Sequence, residues 1–386
     1  MKKSRIGVKV ADQWLRQVLL LLYHQRHLTR TEIARMTKLN PASVSHALTY
    51  LLNRSLLIKT GELQSQSHRP REVFDLNAEA GYFIGVDLEG DRIRFALTNF
   101  AGDIRCRWES SLEFRQSLDP NTVIEGIRKV SRDFDHGNQG RVLAIGVSYP
   151  GMLDGEGNLV AVNLRWAGCG IAAALTQAFP SWPVFLESDK HTCIVGESLR
   201  GPETYRNALF LIAEGGIGLG ILLDGALPRG RTGITGEIGH WKVWPDADDV
   251  CNCGGRGCLE AIASSPNIVR QYLERAGNSE SPHGIRVTDV FEKARRGNPA
   301  ARAVLDRVGR ALGLALSHAV CLLNPEAVIL GGDLIAAEDV LLPIIVAEME
   351  RRTLPVSAEG LSVRVSSLGL DIRLHGAVSF AFRSIL

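Results

Sequence analysis

An α/β body behind a small winged helix-turn-helix domain is the architecture the sequence predicts. Three observations support it. Residues 1–80 carry three short helical patterns, the second and third with their own start signals, and then a hairpin. From Gly81 the texture changes to apolar runs punctuated by glycine and alternating with helical periodicity. Charge divides the same way. Residues 1–80 hold 13 Lys and Arg against 6 Asp and Glu, a balance of +7 in a chain whose net charge is only +2. A basic head on a mildly acidic body suits a head that meets a polyanion.

The first helix is predicted over 12–26, where Leu15, Val18, Leu19 and Leu22 follow the i, i+3, i+4, i+7 spacing. The second opens at Thr29 with Glu32 three residues on, a capping-box signature, and ends near Thr37. Asn40 as N-cap and Pro41 at the first helical position start the third. Val44, Leu48 and Leu51 form its inward stripe, leaving Ala42, Ser43, Ser45, His46 and Thr49 outside. Residues 57–60 and 72–76 read as strands joined by the polar loop GELQSQSHRPR. In a winged helix-turn-helix the third helix enters the major groove of double-stranded DNA, and Arg69 and Arg71 of the loop would reach the backbone or minor groove. A basic helical dimerisation module is the blander alternative. The third helix carries no outward Arg or Lys before Arg54, so base readout would rest on Ser, His and Thr.

Residues 77–81 read as a short linker between a domain at 1–76 and a body at 82–386. In the body, Gly85-Val-Asp87 is expected to end a buried strand, 93–98 to form the next and 142–148 another, ending at Pro150-Gly151. The alternation predicts largely parallel sheets. The glycines of EGGIGLGILLDG, 214–225, fit either a phosphate-cradling loop or a tight hairpin, and no P-loop lysine accompanies them. No run reaches the roughly 18 apolar residues of a membrane span, and the N-terminus does not read as a signal peptide. Seven cysteines, few and odd in number, suit reduced thiols in the cytoplasm.

Two constellations carry chemistry. His240 precedes Cys251, Cys253 and Cys258 in HWKVWPDADDVCNCGGRGC. One imidazole and three thiolates can close a tetrahedral structural zinc site. The alternative is three unrelated thiols and an unrelated histidine. Asp189, in FLESDKH, directly follows an apolar strand, where a carboxylate suits ligand hydroxyls or general-base work. Glu237 and His240 share GEIGH, and Glu260 follows Cys258 by two residues. Converging carboxylates suit a polyhydroxylated ligand; solvated surface charge would look the same.

The strings LTRTEIARMTKLNPASVSHAL, YFIGVDLEGDRI, IGVSYPG, LESDKHT, GGIGLGILLDG, GEIGH, CNCGGRGCLE and NPEAVILGGDL together resemble the ROK family of repressors, open reading frames and sugar kinases, almost end to end. The repressor branch carries such an N-terminal domain. The resemblance implies a two-lobed actin-like ATPase fold with a cleft, the lobes at about 82–200 and 201–386 and the last helix returning to the first lobe. It implies zinc on His240, Cys251, Cys253 and Cys258. It implies a monosaccharide effector held by Asn163, Asp189, Glu237, His240 and Glu260, with Asp189 matching the kinase base and Ser188, counted with the sugar-binding residues, standing where the family usually has asparagine. Homodimers or homotetramers are usual in the family. The kinases' DxGxT phosphate loop reads Asp87-Leu88-Glu89-Gly90-Asp91 here, and their Gly-Thr-Gly loop reads Glu214-Gly215-Gly216. A carboxylate about 4 Å from a phosphate charge would cost about 1 kcal/mol in water and roughly 4 at an effective dielectric near 20. No ATP is therefore expected, nor catalysis; the expectation is a sugar-responsive repressor, with an ATP-dependent sugar kinase as the alternative.

Overall fold

The computed structural model describes residues 13–63, 71–112, 118–133, 141–164, 166–277 and 284–386. These form an α/β chain of two compact units, Met1–Thr204 with Arg373–Leu386, and Tyr205–Ile372.

The first unit opens with α1 (Gln13–His24), β1 (Leu28–Thr29), α2 (Arg30–Thr37), α3 (Pro41–Asn53), β2 (Leu57–Leu63) and β3 (Arg71–Leu76), the sheet running β1-β3-β2. This is a winged helix-turn-helix. The capping box is present: Thr29 accepts from the Glu32 amide, and Glu32 accepts from the Thr29 amide at 2.7 Å. Asn40 caps α3 by accepting from the Ser43 amide at 2.8 Å. The first wing strand continues to Leu63, so the polar loop is shorter than its composition suggests.

Behind this head, β4 (Tyr82–Leu88), β5 (Arg92–Asn99), β6 (Ile104–Ser111), α4 (Pro120–Asp133), β7 (Val142–Tyr149), the short strands β8 (Met152–Leu153), β9 (Leu159–Ala161) and β10 (Trp166–Cys169), α5 (Ile171–Ala178), β11 (Val184–Ser188) and α6 (Asp189–Arg200) follow. The main sheet has the order β11-β7-β4-β5-β6. Only β11–β7 and β7–β4 pair in parallel; β4, β5 and β6 form an antiparallel meander. The expectation of largely parallel sheets is corrected here, because tight turns after Leu88 and Asn99 leave no room for crossover helices. Gly85-Val-Asp87 lies at the end of the buried strand β4, which runs one residue further to Leu88.

The C-terminal helix α13 (Ile372–Ile385) packs on this sheet, all but its first residue belonging to this unit. Gly85 and Gly146 are register partners in β4 and β7, and α13 lies directly over them. A Cβ on Gly146 would stand 2.0 Å from the Ala377 carbonyl oxygen. Head and sheet share one continuous core. Leu15, Leu19, Tyr23, Phe74 and Leu76 cluster with Phe83, Phe100, Val378, Phe382 and Leu386. Tyr23 stacks on Phe382 at 4.1 Å. Arg26 pairs with the buried Asp75 and lies 3.6 Å from Asp103, which Arg200 approaches at 3.7 Å.

The second unit contains β12 (Ala208–Ala213), β13 (Ile217–Leu222), α7 (Leu259–Ala263), α8 (Ser265–Ala276), α9 (Val287–Arg295), α10 (Pro299–Leu323), β14 (Ala327–Gly332), α11 (Glu338–Arg352), α12 (Pro355–Ala358) and β15 (Ser362–Val365). Its sheet runs β13-β12-β14-β15, with β12–β13 antiparallel and the other two pairings parallel. The glycine-rich segment is thus a hairpin. The buried face of α10, from Ala301 to Val320, fills the unit's core together with β12, β14 and α11.

Candidate functional site

Three groups of residues merit a functional reading. The first is the outer face of α3. Ala42, His46 and Thr49 are exposed, while Ser43 and Ser45 are half-buried. Ser45 accepts a hydrogen bond from Arg30 at 2.7 Å. Arg30, at the start of α2, therefore lays a guanidinium beside the helix that lacks one of its own. Sequence reading missed it because the partnership joins two elements; the basic residue after Thr29 was the available signal. Arg71 is exposed at the start of β3, and Arg69 lies outside the described residues.

The second group surrounds the N-terminus of α6. Ser188 is buried and its hydroxyl makes no hydrogen bond among the described residues. Asp189 accepts from the Lys190 amide at 2.7 Å and stands 4.0 Å from the Arg373 guanidinium. Asn163 is half-buried in the turn Val162–Leu164. In the neighbouring β4–β5 turn, Glu89 pairs with Arg92 at 2.6 Å, Arg94 at 2.7 Å and Arg373 at 3.3 Å. Burial opposes its ionisation, but these guanidiniums outweigh it and hold the carboxyl below the usual carboxylate range. Asp87 pairs with Arg94 at 2.6 Å, and burial pushes its carboxyl up to about 7. This corrects the picture of a bare, phosphate-repelling carboxylate at Glu89. The charge is neutralised by three arginines, and side chains themselves fill the turn. Asp91 is exposed.

The third group lies in the second unit. His240 Nδ1 is 3.6 Å from Cys251 Sγ, Cys253 and Cys258 sulfurs are 3.8 Å apart, and the four ligand atoms all fall within 4.8 Å of one another. A tetrahedron built on metal–sulfur bonds of ~2.3 Å and metal–nitrogen bonds of ~2.0 Å has edges of about 3.8 Å between sulfurs and about 3.5 Å between nitrogen and sulfur. The cluster has the dimensions to bind a metal ion. Burial pushes the Cys251 thiol up to about 12 and raises Cys258, so a cation is what would hold both as thiolates. Gly257, at φ +66°, is required: a Cβ there would meet the Trp244 carbonyl at 1.8 Å. The loop is pinned independently of any ion. Asp249 is held by Arg307 and, at 3.3 Å, by Arg270, and its carbonyl accepts from the Gly257 amide.

Cys258 is also the N-cap of α7, placing Glu260 in the first turn. Glu260 is buried and accepts from the Ile217 amide at 3.0 Å, at the start of β13. Glu237 is half-buried just before the turn Ile238–His240, and its carbonyl accepts from the His240 amide. Metal cluster, Glu237 and Glu260 thus belong to one connected stretch of the second unit, whereas Asn163, Ser188 and Asp189 belong to the first.

Among the described residues no helix is long and apolar enough to cross a membrane. A xylose repressor of Caldicellulosiruptor bescii is 27% identical over 382 residues, 96% of this chain and 95% of that protein. A glucokinase of Thermotoga maritima is 30% identical over 312 residues, covering 77% of this chain and 96% of that one. The crystal structure of a ROK family transcriptional regulator, a homologue of the E. coli MLC protein, superposes with a TM-score of 0.78 over 97% of both chains at 23% identity. The family model for ROK proteins matches residues 83–383, and with the α/β architecture it places this chain in the ROK family.

Proposed function

We propose that the chain is a sugar-responsive DNA-binding repressor whose kinase-like body senses a monosaccharide without phosphorylating it. The observation that carries this reading is the winged head built into the core of the first unit. Similarity to a xylose repressor over nearly the whole chain, head included, supports it. The arginine-filled β4–β5 turn supports the absence of turnover, since an ATP phosphate entering there would have to displace Glu89 from three ion pairs.

In this reading Ala42, Ser43, Ser45, His46 and Thr49, joined by Arg30, face the major groove of operator DNA, with Arg69 and Arg71 on the wing. Asn163, Ser188, Asp189, Glu237, His240 and Glu260 hold the effector. His240, Cys251, Cys253 and Cys258 hold structural Zn²⁺, the imidazole offering Nδ1 to the metal and Nε2 to the sugar. The protein works as a cytoplasmic homo-oligomer, two heads meeting two half-sites.

Selection of a site from randomised double-stranded DNA with the full chain, followed by titration with D-xylose, D-glucose and N-acetylglucosamine, tests this. One sugar should release the selected DNA, and a coupled assay with Mg-ATP should show no turnover. The glucokinase relative makes the opposite outcome specific: sugar-dependent ATP consumption abolished by Asp189→Asn would identify a kinase. Arg30→Ala should weaken the selected site about five- to tenfold and reduce the salt dependence by about one counterion, which an affinity series in salt would measure.

A further inference from the structure

Helices α6 and α13 begin at one place and end at another. At their first turns, Arg373 lies 4.0 Å from Asp189. Close by, Gly376 sits so near α6 that a Cβ would stand 2.4 Å from the Thr192 carbonyl oxygen. At their far ends both reach the same side chain of the DNA-binding head. Phe382 of α13 stacks on Tyr23, and the Arg200 guanidinium of α6 lies 5.3 Å from the centre of the same ring. Arg200 also donates to the Ala101 carbonyl at 2.8 Å and reaches Asp103, which in turn approaches Arg26 of the head. Tyr23 itself is buried, its hydroxyl hard against Gly102. At ~1.5 Å per residue, each helix is a rod of roughly 20 Å.

We propose that α6 and α13 act as a paired lever that carries the state of the effector site at Asp189 to the DNA-binding head through Tyr23. The inference rests on the reading that Asp189 meets the effector, and goes beyond it by naming the route. Packing makes the route physical. The helices touch at Gly376 without an intervening side chain, and α13 is seated on Gly85 and Gly146, so neither can shift alone. A ligand that moves Asp189 or draws Arg373 away from Glu89 displaces the rods' starting ends. Their other ends hold the Tyr23 ring on two sides, so α1 must follow. The route needs a discrete change at both ends, not proximity alone.

Hydrogen exchange on the full chain, read at α1, tests this with D-xylose and D-glucose as probes. Sugar binding is followed separately by thermal shift. The wild type should show at least about a fivefold change in α1 exchange on binding. Arg200→Gln, at the end remote from the site, should keep the thermal shift and lose the α1 response, and Arg200→Lys should restore part of it. A bound sugar with an unchanged α1, or an α1 response that survives in Arg200→Gln, overturns the lever. If neither aldose binds, the effector reading is what suffers. Asp189→Asn then replaces the ligand: a change in α1 exchange in the wild-type background that disappears with Arg200→Gln supports the route, and none overturns it.

Discussion

Cys258→Ser should strip the protein of metal and lower its melting temperature by roughly 6–12 °C, the equivalent of about 3 kcal/mol in a unit of this size. The effect has two parts. The substitution removes one of four ligands from a cluster whose atoms all lie within 4.8 Å of one another and could hold a metal ion. It also loosens the segment that leads into α7, and with it the placement of the Glu260 carboxylate that receives the Ile217 amide, although the N-cap itself is kept, since Cys258 makes no side-chain capping bond and serine is a favoured cap. The ends of the loop should hold, because Arg307 and Arg270 clamp Asp249 without help from a metal. The prediction is therefore local: metal analysis reads zero, near-ultraviolet circular dichroism changes around Trp241 and Trp244, and far-ultraviolet signal stays near native at low temperature. Cys321→Ser, at an exposed thiol outside the cluster, should change neither metal content nor melting. A full complement of zinc in Cys258→Ser would remove the cluster from the metal site.

Gly146→Ala should be the most damaging single methyl group in the first unit. Overpacking ordinarily costs about 1–3 kcal/mol, but here the new atom meets a backbone carbonyl at 2.0 Å, which cannot rotate away. Relief requires lifting α13 from the sheet. That separates Val378 and Phe382 from Phe83, Phe100 and Tyr23, so the cost should reach about 3 kcal/mol or more. Denaturant unfolding would measure it. Gly155→Ala, at a glycine with open space around it, is the control and should be nearly neutral. If Gly146→Ala unfolds like the wild type, α13 is not seated as described.

The parts legible in the sequence are those whose partners are close in the chain. Thr29 with Glu32, Asn40 with Pro41, and the inward stripe of α3 are each written within a few residues, and the metal cluster within one short stretch from His240 to Cys258. The missed or misjudged parts depend on distant partners. Arg30 reaches Ser45 across two helices. Glu89 is the mixed case: Arg92 and Arg94 stand within five residues of it and could have been read as partners, whereas the third guanidinium, Arg373, comes from near the other end of the chain. The edge strand β6 alternates half-buried with exposed residues and carries Arg105, Arg107 and Glu109, so hydrophobicity alone does not mark it. The junction at 77–81 reads as a linker because the texture of the sequence changes there, yet the head on one side of it shares a core with Phe83 on the other.

The placement of Arg373–Leu386 in the first unit bears on how the protein comes into being. A ribosome delivers these residues after every other described residue, yet Phe382 and Leu386 complete the core that also contains Leu15 and Tyr23. Through most of synthesis the head waits with one wall missing, and a message or chain broken before Arg373 yields a head that cannot close its core. Completion of the head's core is in this way made conditional on having first translated the whole of the second unit.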